Sequence, residues 1–249
     1  MINFLRKIRQ NTMQKKSVNA YLRDTLAEVI LIVIGILLAI QVDGWLENRS
    51  NESTRIDVAR DLKAEFQTNL DNMNTAISFF QNNVAVIDSL SIIINNQNEG
   101  IPEEKVIQLI RQISNYTYDP INGVLNRGMI SGDILFIKNE ILKKHLFSWE
   151  AIAADSREEQ DFLINDYFKR VNPFIQKYIQ KGNATKHYKY TIPDSYYPSN
   201  VQGMIKDPEF ENILMNRLFL LYDAISEIEP LKVTTIEIID NLEKEVNDD

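Results

Sequence analysis

An apolar run near the start of the chain constrains its fold more than any other feature. Residues 29–40 contain no polar side chain, and the flanking positions keep residues 26–42 mostly apolar. A helix in the core of a soluble protein normally retains a polar stripe, which this run lacks. As a helix, residues 26–42 would be about 26 Å long, close to the ~30 Å hydrocarbon core of a bilayer. We therefore predict a transmembrane helix over residues 25–43.

The flanks of this run predict its orientation. Tyr21 and Trp45 lie just outside its two ends, where aromatic rings favour the headgroup layers. Residues 1–25 contain six basic side chains and one acidic one, whereas Asp43 and Glu47 follow the run. The positive-inside rule then predicts a cytoplasmic N-terminus, with residues 44–249 outside, in a periplasm.

The N-terminal segment also bears on how the chain is held. No small-x-small cleavage site follows the run, so an uncleaved signal anchor is favoured over a secretory signal peptide. We expect residues 1–24 to form a basic cytoplasmic stub. Phe4, Leu5 and Ile8 share one side of a helix here, which suits an interfacial helix on an anionic inner leaflet. A poorly ordered stub fits the same residues.

Charge and composition exclude several function classes. The chain has a net charge of −8, and residues 1–42 contribute +4, so the exterior part carries −12. Such an acidic exterior disfavours nucleic acid as a partner. The chain has no cysteine, which excludes disulfides, thiolate nucleophiles and cysteine-ligated metals and suits a bacterial envelope. His145 and His187 lack metal-ligand spacing, and His145 is interpreted as a hydrogen-bonded structural histidine on a buried face. We predict no catalytic, cofactor or metal site.

The exterior part has the pattern of an all-α domain. Residues 46–95 contain neither proline nor glycine, which predicts a long helix that continues out of the span. Apolar side chains recur along it in steps of three and four, namely Phe66, Leu70, Met73, Ile77, Phe80, Val84, Ile87 and Ile94. This 3.5-residue period fits a coiled coil with a second copy or one helix of an intramolecular bundle, and phenylalanines at core positions favour the bundle.

Further helices are predicted by their start and stop signals. Pro102 opens a second helix, Asp133 caps a third, Ser156 begins a fourth, and Asp207 precedes a fifth. Pro173 is expected to kink or restart the fourth helix, and Pro230 to mark a joint before the last one. In the fourth helix, the predicted inward residues are Phe162, Leu163, Tyr167, Phe168 and Val171.

Residues 183–204 are the least helical part of the exterior domain. Four tyrosines cluster there with two prolines, namely Tyr188, Tyr190, Tyr196 and Tyr197. Tyrosine and proline give rigid, amphipathic contact area, so this loop is a candidate recognition surface. The same rings could instead close one end of the bundle.

Three residues of the apolar run are candidates for contacts within the membrane. A carboxylate inside a span costs free energy, and Glu28 lies about one turn in, where it can reach the headgroups or a partner helix. Gly35 and Ala39 share one helix face, a small-xxx-small arrangement that permits close helix approach. With Tyr21 and Trp45 they make up the candidate membrane or partner contacts.

Two segments resemble a family of uncharacterised single-pass membrane proteins from Gram-negative bacteria. The first is Ala27-Glu28 entering the apolar run, with Gly35-Ile-Leu-Leu-Ala-Ile-Gln41 and then Trp45. The second is residues 125–142, Leu-Asn-Arg-Gly-Met-Ile-Ser-Gly-Asp-Ile-Leu-Phe-Ile-Lys-Asn-Glu-Ile-Leu, which in the family reads as a helix, a Ser-Gly turn and a helix. The resemblance implies a bacterial inner-membrane protein with a domain of unknown function and no known activity.

Three functions are compatible with these features. The favoured one is a non-enzymatic, membrane-anchored envelope protein that scaffolds or regulates a protein partner or pairs with a second copy. The second is a sensor or accessory subunit whose bundle binds a ligand and signals through the span. The third is an envelope hydrolase that uses an Asp/Glu pair.

Overall fold

The computed structural model describes residues 18–96, 100–180 and 195–247. These residues form helices joined by turns and loops, and none of them lies in a β-strand. The prediction of an all-α chain is confirmed. The chain divides into two compact units, Met1–Thr54 and Arg55–Asp249, which we call the N-terminal unit and the helical unit.

Helix α1, Val18–Asn95, begins in the N-terminal unit and ends in the helical unit. It is long and apolar enough to cross a membrane, and none of its most apolar window is buried. A core helix of a soluble protein would bury most of such a window. The helix is therefore a candidate membrane span by its length, apolar character and exposure.

The helical unit is built on three long helices. After α1 come α2 Glu103–Gln112, α3 Gly123–Ser131, a 3-10 turn Asp133–Phe136, α4 Glu140–Asp166, a π-helical turn Tyr167–Val171, α5 Asn172–Tyr178, α6 Val201–Ile205 and α7 Pro208–Asn247. Helices α4 and α7 pack antiparallel, because Asn139 binds Asn241 at one end and Asp166 binds Asn216 at the other.

The apolar seam of α1 packs inside the chain. Five of its residues are buried and three are half-buried against the core, the buried ones being Phe66, Met73, Ile77, Phe80 and Ile87. The Phe66 ring meets Trp149 of α4 edge-on with centroids 4.8 Å apart. The seam thus serves an intramolecular bundle, the favoured alternative.

Two predicted helix starts are wrong. The helix expected at Asp133 begins at Glu140, because the Asn139 side chain accepts hydrogen bonds from the backbone N–H groups of Ile141 and Leu142. Asp133 instead opens the 3-10 turn after Gly132, whose φ of 82° suits glycine. No helix begins at Ser156, which is buried within the continuous α4.

The two prolines behave differently. Pro173 follows the π-helical turn, in which the Asn172 N–H bonds to the carbonyl of Tyr167, so the predicted restart is confirmed. Pro230 was expected to mark a joint, and that prediction is wrong because α7 continues through it. A proline inside a helix costs about 3 kcal/mol, which the burial of Ile228 and Leu231 on either side helps to offset.

Two aromatic residues predicted to point inward are exposed. Phe162 is 49% and Phe168 61% exposed, whereas the neighbouring Leu163 and Val171 are buried as predicted. The reason is that the core stripe of α4 runs through Ser156, Gln160 and Leu163 without interruption, which turns Phe162 to the outside.

Candidate functional site

Buried polar side chains of the helical unit hold the loop between α2 and α3. Glu65 of α1 accepts hydrogen bonds from the backbone N–H groups of Val124 and Leu125, at 2.6 and 3.0 Å. A carboxylate at this position satisfies the free N–H groups of α3 and complements its dipole. Asn69 exchanges two hydrogen bonds with the backbone of Ile121.

The same loop is held from α4 and α7. Gln160 accepts a hydrogen bond from the backbone N–H of Tyr118 at 2.7 Å, and Trp149 donates to Asn122 at 3.1 Å. Arg217 donates to the carbonyl of Ser114 at 2.7 Å. These buried polar groups therefore position the loop between α2 and α3.

A second buried polar cluster lies beside the π-helical turn. Asp166 accepts a hydrogen bond from Asn216 at 2.9 Å, and its other oxygen lies 3.6 Å from the Arg217 guanidinium. Burial raises the pKa of Asp166, although Arg217 and Arg170 act in the opposite direction. Burial lowers the pKa of Arg217, because it disfavours the charged form of this side chain too. The Arg217 guanidinium lies 5.5 Å from the Tyr167 ring centroid. The pair is thus incompletely compensated for its loss of water.

The outer surface where α4 meets α7 is acidic and aromatic. Burial raises the pKa of Glu159, and the negative charges of Asp223, Glu227 and Glu158 raise it further. Two of these charges are on α7 and one is on α4. Phe162 follows Glu159 by one helical turn, and Phe219 precedes Asp223 by one turn, which places both rings on the faces that carry the acids. We call Glu159, Phe162, Phe219, Asp223 and Glu227 the acidic aromatic face.

A surface of opposite character surrounds the start of α4. Five large apolar side chains are exposed there, namely Ile130 at 88%, Leu135 at 66%, Phe136 at 37%, Ile141 at 65% and Phe147 at 56%. The segment from residue 127 to residue 147 also carries four basic and two acidic side chains, in a chain whose net charge is −8. We call the exposed apolar and basic side chains of residues 127–147 the apolar–basic surface.

A shallow groove of about 570 Å³ lies in this surface. Its lining is Leu135, Glu140, Lys143, Lys144, Phe147 and Ser148. Lys143 pairs with Glu140 at 2.6 Å, and the Phe147 ring lines the groove beside them. The groove is open, apolar and rimmed by charge, which suits contact with another surface.

The predicted membrane contacts lie in the N-terminal unit. Glu28, Gly35, Ala39 and Trp45 are all exposed, and a side chain added at Gly35 would meet nothing within 4 Å. The Arg49 guanidinium lies 5.5 Å from the Trp45 ring centroid. These residues are accessible along one helix, and their roles as contacts stay predictions.

The side chain of Tyr21 lies outside the described residues, and so do Tyr188 and Tyr190. The other two candidate tyrosines of the loop lie side by side. Tyr196 is 93% and Tyr197 66% exposed, and their rings meet edge-on at 5.3 Å. Recognition by these rings stays a prediction.

The His145 side chain is less buried than predicted. It is 27% exposed, and its Nε2 lies 3.8 Å from the Glu237 carboxylate, beyond hydrogen-bond distance. No group of three or more histidine, aspartate and glutamate side chains in the described parts of the chain could hold a metal ion.

Neither surface was identified from the sequence. The exposure of residues 130–147 had a signal, because Ile134-Leu135-Phe136-Ile137 places four apolar residues in a row and a single turn buries only some of them. The acidic aromatic face had no signal in the sequence, because it forms only when α4 pairs with α7.

Residues 28–148 match the model of a family of unknown function, DUF6090. No curated protein and no solved structure matches the chain. The matched region takes in most of the predicted span and the apolar–basic surface, and it ends before the acidic aromatic face. The family match agrees with the expectation of a domain of unknown function.

Proposed function

We propose that this protein is a non-enzymatic, membrane-anchored scaffold or regulator that binds a protein partner through the acidic aromatic face. In this proposal α1 crosses the inner membrane of a bacterium, the N-terminus is cytoplasmic, and the helical unit is periplasmic. The exposed apolar stretch of α1 and the positive charge before it support that arrangement.

The observation that carries the proposal is the combination of exposed rings with crowded carboxylates. Glu159 is partly withdrawn from water beside Asp223 and Glu227, which raises its pKa, and like charges this close repel one another. Phe162 and Phe219 expose large apolar rings on the same faces. A bound partner with basic and apolar side chains would relieve both costs.

We expect the partner segment to be an amphipathic helix. Such a helix can lie along two packed antiparallel helices with its apolar anchors at a spacing of three and four residues. We expect the partner to present lysine or arginine between apolar anchors. A second copy of this chain is the alternative partner.

Photo-crosslinking in cells tests this proposal. A photoreactive phenylalanine analogue replaces Phe162 or Phe219 in the full chain, and the same analogue at Phe168 is the control, since Phe168 is 61% exposed but lies outside the face. We expect one discrete protein adduct from positions 162 and 219 and none from 168. The crosslinked peptide should be basic and should be lost in Glu159→Gln/Asp223→Asn.

Four results would each contradict part of the proposal. Equal crosslinking from positions 162 and 168, or an adduct that survives neutralisation of the carboxylates, would remove the acidic aromatic face as the binding surface. If alkaline carbonate extracted the chain from membranes without detergent, the proposed membrane anchor would be wrong. Turnover of a substrate by the purified chain, abolished by one side-chain change, would contradict the non-enzymatic role.

A further inference from the structure

We infer that the apolar–basic surface lies against anionic lipid headgroups of the membrane that holds the chain. Its apolar side chains would enter the headgroup layer, and its lysines would contact lipid phosphates. This inference rests on the proposed membrane anchor but does not depend on the protein partner.

The chemistry of the surface fits an anionic bilayer. Ile130, Leu135, Ile141 and Phe147 are each more than half exposed, and side chains of this kind add stability when buried at a bilayer interface. Lys138 and Lys144 lie among them in sequence and are exposed, and each basic residue close to an anionic surface contributes about 1 kcal/mol. Arg127 and Lys143 also lie there, and they pair with Asp61 and Glu140. An anionic membrane would repel most of this acidic unit and attract this part of it.

The exposure of these side chains is built into the fold. In the turn between α3 and α4, Ile134 and Ile137 are buried while Leu135 and Phe136 between them are exposed. A side chain added at Gly128 would lie 2.9 Å from Ile134, so only glycine admits Ile134 at this depth. The turn therefore holds Leu135 and Phe136 outward as a fixed feature.

The surface is also fastened to the start of the helical unit. Asn139, which caps α4, donates its backbone N–H to the Glu245 carboxylate at 2.6 Å, and Arg55 pairs with the same carboxylate at 2.5 Å. Arg127 pairs with Asp61 at 2.9 Å. The surface thus lies next to the first residues of the helical unit.

The length of the chain limits how far the start of the helical unit can lie from the predicted span. Arg55 follows Trp45 by ten residues, which span at most about 35 Å even when fully extended. This limit raises the effective concentration of lipid at the surface, so a weak interface suffices for docking. The covalent link and the charge together favour lipid over a free protein as the occupant.

The absence of cysteine from the chain makes a site-specific test possible. Full-length Leu135→Cys carries an environment-sensitive fluorophore in nanodiscs of phosphatidylglycerol and phosphatidylcholine or of phosphatidylcholine alone. Phe219→Cys is the matched control, because both side chains are 66% exposed. We expect a blue shift and quenching by spin-labelled lipid at position 135 with phosphatidylglycerol, a weaker effect without it, and neither at position 219.

A charge variant tests the basic component. Lys138→Glu/Lys144→Glu in the Leu135→Cys chain should reduce the blue shift to the value seen in phosphatidylcholine alone. Circular dichroism must show an unchanged helical signal, since both lysines are exposed. A blue shift that persists in this variant would contradict recognition of lipid phosphate.

A probe in the span separates failure of this inference from failure of the anchor. An Ile34→Cys probe should be quenched from the acyl region. If position 34 is quenched and position 135 stays aqueous with phosphatidylglycerol, lipid docking is wrong and the anchor stands. If position 34 is aqueous, the anchor itself is wrong. A position 135 probe that shifts only when membrane proteins are added would replace lipid by a protein partner.

Discussion

Helix α4 carries two surfaces of opposite character at its two ends. Its first turns belong to the apolar–basic surface, with Lys144 and Phe147, whereas its last turns carry Glu159 and Phe162 of the acidic aromatic face. The buried stripe of the helix is continuous between them. The outside of one regular helix can therefore be specialised twice without a change in its packing, and the family match covers only the first of these surfaces.

The two buried ion pairs beside these surfaces also differ from each other, in the geometry of their hydrogen bonds. Arg55 and Glu245 lie at 2.5 Å, and both oxygens of Glu245 accept hydrogen bonds. Arg217 and Asp166 are 3.6 Å apart, and one Asp166 oxygen has no hydrogen bond. The first pair has the geometry that compensates desolvation, and the second does not.

The largest predicted effect comes from Glu245→Gln. A glutamine side chain offers one acceptor oxygen where the Glu245 carboxylate accepts from both Arg55 and the Asn139 N–H, so the variant loses one of these two buried hydrogen bonds and the negative charge that faces Arg55. We expect the free energy of unfolding to fall by about 3 kcal/mol. Urea unfolding of the full chain in detergent, followed by Trp149 fluorescence in a Trp45→Phe background, measures this.

Glu243→Gln is the matched control. Glu243 is 56% exposed and lies 3.4 Å from Lys63, so its substitution should change stability by less than about 0.5 kcal/mol. If the two variants were equally stable, the contrast between the buried pairs would have no energetic basis.

Asp166→Asn should change the free energy of unfolding by no more than about 1 kcal/mol, clearly less than Glu245→Gln. The asparagine oxygen can keep the hydrogen bond from Asn216, and its amide group takes the place of the oxygen that accepts none. The 3.6 Å contacts with Arg217 and Arg170 are weakened, and the cost of burying the charge is removed. The same urea assay applies, and a loss as large as that of Glu245→Gln would show that the Asp166 charge is well compensated after all.

The exposed apolar stretch of α1 and its buried seam could be predicted because both depend on local sequence. An apolar run needs no partner to be recognised, and a period of 3.5 residues shows a buried face whichever helices cover it. The start of α4 was misplaced because Asp133 and Asn139 are both good caps, and only Asn139 is fixed by Asn241 and Glu245 from far along the chain.

Long-range partners also explain the exposed rings that were placed inside. Ser156 and Gln160 are polar, so sequence reasoning broke the core stripe there and assigned Phe162 inward. In the structure Gln160 is buried because it binds the backbone of Tyr118. The acidic aromatic face could not be predicted for the same reason, since Glu159 meets Asp223 only after α4 and α7 pair.

The pH dependence of stability separates the two ion pairs further. The pKa of the Asp166 carboxyl group is higher in the folded chain than in the unfolded chain, where it is near 3.8. As the pH falls through the raised pKa, Asp166 therefore adds to the free energy of unfolding, and the gain levels off below 3.8. The difference between wild type and Asp166→Asn should grow in favour of wild type on acidification. A difference that is constant or shrinks between pH 7 and 4 would contradict this sign.

The smallest effect on stability is expected from Glu159→Gln on the acidic aromatic face. Removal of this charge relieves its desolvation and its repulsion from Asp223 and Glu227, so the chain should become more stable at neutral pH, by no more than about 0.5 kcal/mol. Glu140→Gln near the apolar–basic surface is the opposite case, because it removes the partner of Lys143 and should leave stability equal or slightly lower. Thermal unfolding of the two variants side by side measures the contrast. A stabilised Glu159→Gln chain that also loses its crosslinked partner would show that the crowded carboxylates are kept for binding at the expense of stability, whereas a destabilised one would show that they hold the two helices together.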